Sequence, residues 1–305
     1  MRVDWLRGCA TALVTPFGAD GAVDEARLRA LVERQISGGV RVLVPCGTTG
    51  ESATLSSDEQ ERVIAITAEV AHGRARVLAG AGGNATSAVV ERAQTARSLG
   101  VDGILVVAPY YNKPTQPGLM AHFHAVAEAV HDLPVVLYNV PGRTGSNIEA
   151  STAVALARET ENVVAVKEAS GSLAQIMAIL HDRPEGFRVL SGDDALTLPV
   201  MALGGEGIIS VASNEVPDLM SRLADLAAQG DWEGARALHY RLLPLMEANF
   251  LESNPGPVKA AMALMGLLEE RFRLPLVPVQ EKTRDRLREL LQGLGALSGA
   301  AHVVA

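Results

Sequence analysis

Eight short runs of apolar, largely β-branched residues recur along the chain between Gly, Pro and Asp boundaries, and this rhythm restricts the fold more than any other feature. The runs are Cys9–Thr15, Val42–Cys46, Val77–Ala81, Gly103–Ala108, Val135–Val140, Val163–Lys167, Arg188–Ser191 and Gly207–Val211. Amphipathic stretches with helical periodicity lie between them, among them Asp24–Ser37, Ser57–Ala71, Ser87–Leu99 and Gly118–Val130, and the eighth helix is predicted over Val216–Ala228. Gly39, Gly73 and Gly100 follow three of these helices, where a residue free to take positive φ ends a helix. The runs are continuously apolar rather than alternating, as in parallel strands covered on both faces. Eight β–α units predict an α/β chain closed into a (β/α)8 TIM barrel over residues 1–229, in preference to an open doubly wound sheet. From Trp232 onward no strand–turn–helix unit occurs, so residues 230–305 are predicted to form a C-terminal helical appendage, with Ala296–Ala305 a frayed tail.

The composition supports a core of that size and narrows the partners. Of the 305 residues, 48% are apolar and 20% charged, enough to bury a large core against the entropy of ordering the chain. A net charge of -8 without a cluster of Lys or Arg excludes a nucleic-acid partner. The stretch Met1–Gly8 lacks an apolar segment and carries Asp4, and no window of about 18 apolar residues occurs, so the expectation is a cytoplasmic protein without a membrane partner. Cys9 and Cys46 sit in apolar runs as small buried hydrophobes. The seven histidines are scattered; His122 and His124 point to different faces of a helix, a solvated surface rather than a metal site, and no metal is expected. There is no Walker loop, and Gly80-Ala-Gly-Gly83 lacks the dinucleotide spacing, so no cofactor is expected either.

In a barrel the chemistry is carried by the C-terminal strand ends, and there the unusual polar residues cluster. The predicted strands are followed by Gly47-Thr48-Thr49-Gly50-Glu51, by Tyr110-Tyr111-Asn112-Lys113-Pro114 and by Pro141-Gly142-Arg143-Thr144; others end in Lys167-Glu168 and Ser191-Gly192-Asp193-Asp194. Lys167 is the sharpest signal, because the chain holds four lysines against 23 arginines and this one closes an apolar run. A buried ammonium must be paired or used. Two readings stand side by side: a neutral amine, favoured by desolvation, that attacks a ketone, or an ion pair with Asp193 or Glu168. Tyr138 closes the neighbouring strand, either as a core-edge tyrosine or as a group that moves protons beside Lys167, with Thr48 in the middle and Tyr111 at the outer end of a relay. Arg143 follows a stiff Pro-Gly turn, where a guanidinium can hold a carboxylate or simply stand in solvent. Thr48 and Thr49, between two glycines, offer hydroxyls and N–H groups as a small anion cradle.

The strings Gly47-Thr-Thr-Gly-Glu-Ser-Ala-Thr-Leu55, Pro109-Tyr-Tyr-Asn-Lys-Pro114, Tyr138-Asn-Val-Pro-Gly-Arg-Thr-Gly145, Val166-Lys-Glu-Ala169, Leu190-Ser-Gly-Asp-Asp194 and Gly207-Ile-Ile-Ser-Val211 resemble, in order, those of the dihydrodipicolinate synthase and N-acetylneuraminate lyase superfamily. The resemblance runs from about Gly8 to Pro278. It implies a Schiff base between Lys167 and pyruvate, and an enamine that attacks an aldehyde. Tyr138, Thr48 and Tyr111 match the superfamily's proton relay, with Tyr111 entering a neighbouring subunit of a homo-oligomer, a tetramer built from dimers. Thr49 matches a pyruvate-carboxylate contact, while Gly192 and Ile209 match backbone contacts around the lysine. Arg143 is similar to the arginine that grips the carboxylate of aspartate semialdehyde in lysine biosynthesis; the competing implication is a lyase for a sugar acid, such as 2-keto-3-deoxygluconate or N-acetylneuraminate. Ser52, Ala53, Asn84 and Tyr110 resemble the effector contacts of lysine-inhibited relatives. Those relatives often carry His at the positions of Ser57 and Gln60 and Glu at Ala88, so this chain is expected to respond weakly or not at all.

Overall fold

The computed structural model describes Met1 and residues 3–297; most of the segment expected to be a frayed tail, from 298 onward, lies outside the described residues. Eight parallel strands close into one barrel in chain order: β1 (Gly8–Ala12), β2 (Val42–Val44), β3 (Arg76–Gly80), β4 (Gly103–Val107), β5 (Val135–Asn139), β6 (Val163–Glu168), β7 (Arg188–Ser191) and β8 (Gly207–Ser210). Each lies within two residues of the start read from the sequence, and several end earlier, because the last apolar residues of a run have already turned into the rim loop. The helices are α1 (Glu25–Ser37), α2 (Ser57–Ala71), α3 (Thr86–Ser98), α4 (Gln116–Ala129), α5 (Pro141–Thr144), α6 (Ala150–Glu159), α7 (Leu173–Asp182), α8 (Thr197–Ala202), α9 (Pro217–Ala228), α10 (Trp232–Ala248), α11 (Gly256–Leu264) and α12 (Glu281–Leu294). Gly39, Gly73 and Gly100 do take positive φ at the ends of their helices. None of the described helices is long and apolar enough to cross a membrane.

Strand side chains alternate between two compartments. Ala10, Ala12, Val42, Val44, Leu78, Leu105, Val136, Leu190 and Ile209 fill the barrel interior, while the other faces pack against the helices in a larger outer core. Capping is explicit in the sequence: Ser56 and Glu59 form a reciprocal capping box on α2, and Asp24, Thr115 and Asp231 cap α1, α4 and α10. Cys9 and Cys46 are buried and unpaired, and burial pushes the Cys46 thiol up to about 12. His122 corrects the expectation of a solvated helix face. It is buried between α3 and α4, where its Nδ1 meets the Thr86 hydroxyl at 2.9 Å, whereas His124 does reach outward to Glu159.

The β5–β6 ladder positions the site. Val135 pairs with Val163 but Val136 with Ala165, so Val164 is an extra residue in β6 and Tyr138 comes to lie opposite Lys167. An uninterrupted register would have set Val166 there and turned Lys167 away from the Tyr138 face.

Candidate active site

Lys167 stands on the inner face at the C-terminal end of β6, 5% exposed, and its Nζ lies 4.3 Å from the centroid of the Tyr138 ring. Among the described residues no carboxylate reaches it, so the ion-pair alternative is not realised. Glu168, one residue on, faces the opposite compartment. It accepts hydrogen bonds from Asn139 Nδ2 at 3.0 Å, Gln175 Nε2 at 3.0 Å and the Ser170 N–H at 2.7 Å. Asp193 accepts from the Ala195 N–H at 3.0 Å, and Asp194 from the N–H groups of Val211 and Ala212; burial pushes both carboxyls up. The period of two along β6 thus separates amine from acid.

Gly192 lets the lysine stretch along the rim. A Cβ there would stand 2.5 Å from the Ala169 Cβ and 3.1 Å from Lys167 Cε, closer than atoms pack. Gly80 has a like role under the β2 loop, where a Cβ would meet the Cys46 carbonyl oxygen at 2.1 Å. Ile209 is wholly buried on β8 in the barrel interior.

Beside Tyr138 opens a cavity of about 490 Å³, lined by Thr48, Tyr138, Val140 and Arg143 and, from the C-terminal segment, by Asn254 and Leu276. Lys167 does not line it but adjoins the Tyr138 ring, which does. Thr49 is buried, and its hydroxyl accepts from Asn254 Nδ2 at 3.0 Å. The N–H groups of Thr48 and Thr49 donate to no acceptor among the described residues, as the expected anion cradle requires. Arg143 projects from α5, the single helical turn into which the Pro-Gly segment folds, and its Nη2 donates to the Asn254 carbonyl at 3.3 Å.

Tyr111 is absent from this cavity. Its side chain is 89% exposed on the loop after β4, in a left-handed conformation at φ 75°. Ser52, Ala53 and Tyr110 line the same cavity, while Asn84 does not, its carbonyl held by Asn112 Nδ2 at 2.8 Å. Gln60 braces the turn beneath Ser52, donating to its carbonyl at 3.0 Å.

Asn254 was not foreseen from the sequence, nor was the buried ion pair of Glu51 with Lys259 at 2.6 Å. A signal existed for the second: Lys259 is one of the four lysines and sits in the apolar helix α11. Nothing local marks Asn254, since its role depends on contact with a loop 205 residues away.

Barrels of this type do their chemistry at the C-terminal rim, where the polar groups of this chain are gathered, and fold and site together define a barrel of the enzyme kind. The model of the dihydrodipicolinate synthetase family matches residues 5–294, and the chain belongs to that family. A 4-hydroxy-tetrahydrodipicolinate synthase of Koribacter versatilis is 57% identical over 296 residues, covering 97% of this chain and 98% of that protein. One of Acidobacterium capsulatum is 55% identical over 96% of this chain and 97% of that protein. The crystal structure of dihydrodipicolinate synthase from Aquifex aeolicus superposes with a TM-score of 0.94 at 45% identity, covering 96% of this chain and 99% of that one.

Proposed function

We propose that this protein condenses pyruvate with L-aspartate 4-semialdehyde to 4-hydroxy-tetrahydrodipicolinate through a Schiff base on Lys167. The observation that carries the reading is a buried amine without a carboxylate partner among the described residues, set beside the ring of Tyr138, which lines the cavity. Full-length relatives named as this synthase support the choice of reaction.

The amine of Lys167 attacks the ketone carbon of pyruvate, and loss of water leaves an imine. Tyr138 moves the protons of that step, with the Thr48 hydroxyl next in line because it can donate and accept at once. The imine gives up a methyl proton, and the resulting enamine carbon bonds to the aldehyde carbon. The substrate's own amine then closes on the imine carbon and displaces Lys167, so one water leaves overall. The pyruvate carboxylate rests on the free N–H groups around Thr49, with Gly192 and Ile209 shaping the backbone near the lysine.

Arg143 holds the carboxylate of the aldehyde substrate at the cavity mouth, which favours the semialdehyde over a sugar acid. Tyr111 completes the relay in the cavity of a second copy, which accounts for its exposed ring and makes the protein a homo-oligomer, a tetramer built from dimers. Borohydride reduction in the presence of pyruvate, followed by peptide mass mapping, tests the chemistry: the adduct is expected on Lys167, and its appearance elsewhere or not at all overturns the reading. Turnover of aspartate semialdehyde compared with 2-keto-3-deoxygluconate and N-acetylneuraminate tests the substrate.

A further inference from the structure

The side chains of Glu51 and Lys259 are wholly buried, with Lys259 Nζ 2.6 Å from Glu51 Oε1. Glu51 ends the Gly47–Glu51 loop in a left-handed conformation at φ 54°, which a non-glycine residue adopts only where its surroundings hold it. Lys259 also donates to the Thr15 carbonyl at 3.0 Å, and the Thr15 hydroxyl donates to the Gly50 carbonyl at 2.7 Å. The Glu51 N–H returns to the Thr48 carbonyl at 3.1 Å. Phe17 and Phe272 flank the ammonium, their ring centroids 4.4 and 4.9 Å away, and shut out water. Glu51 is among the residues that line the cavity and Lys259 is not, and the ammonium is taken up by Glu51 and the Thr15 carbonyl, so Lys259 acts through the loop.

Stability alone is a weak reason for such a pair. Exchanging a buried ion pair for neutral groups of like volume is often neutral or favourable, because the desolvation of two charges offsets their attraction. What the pair adds is a short, directional link that ties one loop conformation to one helix. We infer that Glu51 and Lys259 are positioning residues, which set the Thr48–Thr49 loop against α11 so that the two threonines meet pyruvate. The inference rests on the proposed roles of Thr48 and Thr49.

The deciding variant is the double exchange Glu51→Gln with Lys259→Met, which leaves no unpaired charge in the core. It is expected to fold, to lose at least ten-fold in kcat per active site, and to raise KM for pyruvate several-fold while KM for the aldehyde stays within two-fold. Active sites are counted by borohydride trapping with pyruvate, so a smaller folded fraction does not mimic the effect. Glu51→Gln alone retains an acceptor for Lys259 and is expected to show the same bias toward pyruvate at about a third of the parent kcat. Parent-like kcat and pyruvate KM in the double variant would sink the inference, as would equal shifts in both KM values. An unfolded double variant also counts against it, since the pair would then serve folding itself. Absence of a pyruvate adduct on the parent protein would instead bring down the proposed function.

Discussion

Tyr138 and Lys167 are register partners across β5 and β6, and the amine of one lies 4.3 Å from the ring centroid of the other. This relationship depends on a single inserted residue, Val164, in the ladder below them. It makes the phenol the nearest aromatic group to the amine and ties the two to one rigid sheet, where a site is held more tightly than on loops.

Tyr138→Phe separates ring from hydroxyl. The ring stays over Lys167 and the interior packing is kept, so the melting temperature is expected within a few degrees of the parent. The rate of condensation is expected to fall about 10²- to 10⁴-fold, the usual worth of a positioned acid–base group. Steady-state kinetics with a borohydride trapping time course checks this, and a parent-like rate would remove Tyr138 from the chemistry.

Gly192→Ala tests the path of the lysine. The added carbon meets Ala169 and Lys167 Cε at 2.5 and 3.1 Å, so either the strand end or the lysine shifts. Overpacking of this kind costs about 1–3 kcal/mol, and misplacing the amine is expected to lower kcat at least ten-fold. Thermal unfolding measured beside activity checks both halves.

Two buried or half-buried carboxyls should bend the pH dependence of stability in opposite senses. The Arg273 guanidinium bonded to Glu59 holds that carboxyl down at about 2, so its stabilisation is present above the unfolded value of about 4.3 and is lost as pH falls toward 2. Burial pushes Glu215 well above the usual range, with Asn249 as its hydrogen-bond partner at 2.7 Å and its second oxygen unpartnered among the described residues. Its contribution is present below about 4.3 and is lost as pH rises toward the folded value. Urea unfolding across a pH series is expected to show a flatter acid limb for Glu59→Gln and a flatter decline above pH ~4.3 for Glu215→Gln; unchanged slopes would refute both assignments.

L-lysine is expected to leave the steady-state rate nearly unchanged. Among the cavity's lining residues, Ser52, Ala53 and Tyr110 offer no anionic side chain for an effector's ammonium, the Glu51 carboxylate is taken up by Lys259, and position 88 is alanine. Gln60 is turned inward onto the Ser52 carbonyl. Inhibition in the millimolar range would show that another group supplies the charge.

Much of the barrel was legible because its signals are local. Continuous apolar runs mark strands covered on both faces, capping residues mark where helices begin, and a lone lysine at the end of such a run stands out in a chain with four lysines. His122 misled because helical periodicity says which face a residue occupies but not what packs upon that face. The segment after α9 was legible as helices, yet not as a contributor to the cavity, because Asn254 and Lys259 act on a loop more than 200 residues distant.

The amino-acid sequence by itself determined the order of strands and helices, the rim on which polar groups gather, and the lysine that closes the sixth apolar run. These follow from hydrophobic period and turn chemistry, which act between near neighbours in the chain. Only the tertiary structure decided that Tyr138 faces Lys167 through the slip at Val164, that Glu168 turns away, that Tyr111 leaves its own cavity, and that a buried Lys259 grips the threonine loop. Register, burial and ion pairing are set by which distant segments share a core, and a chain's local pattern carries no record of that choice.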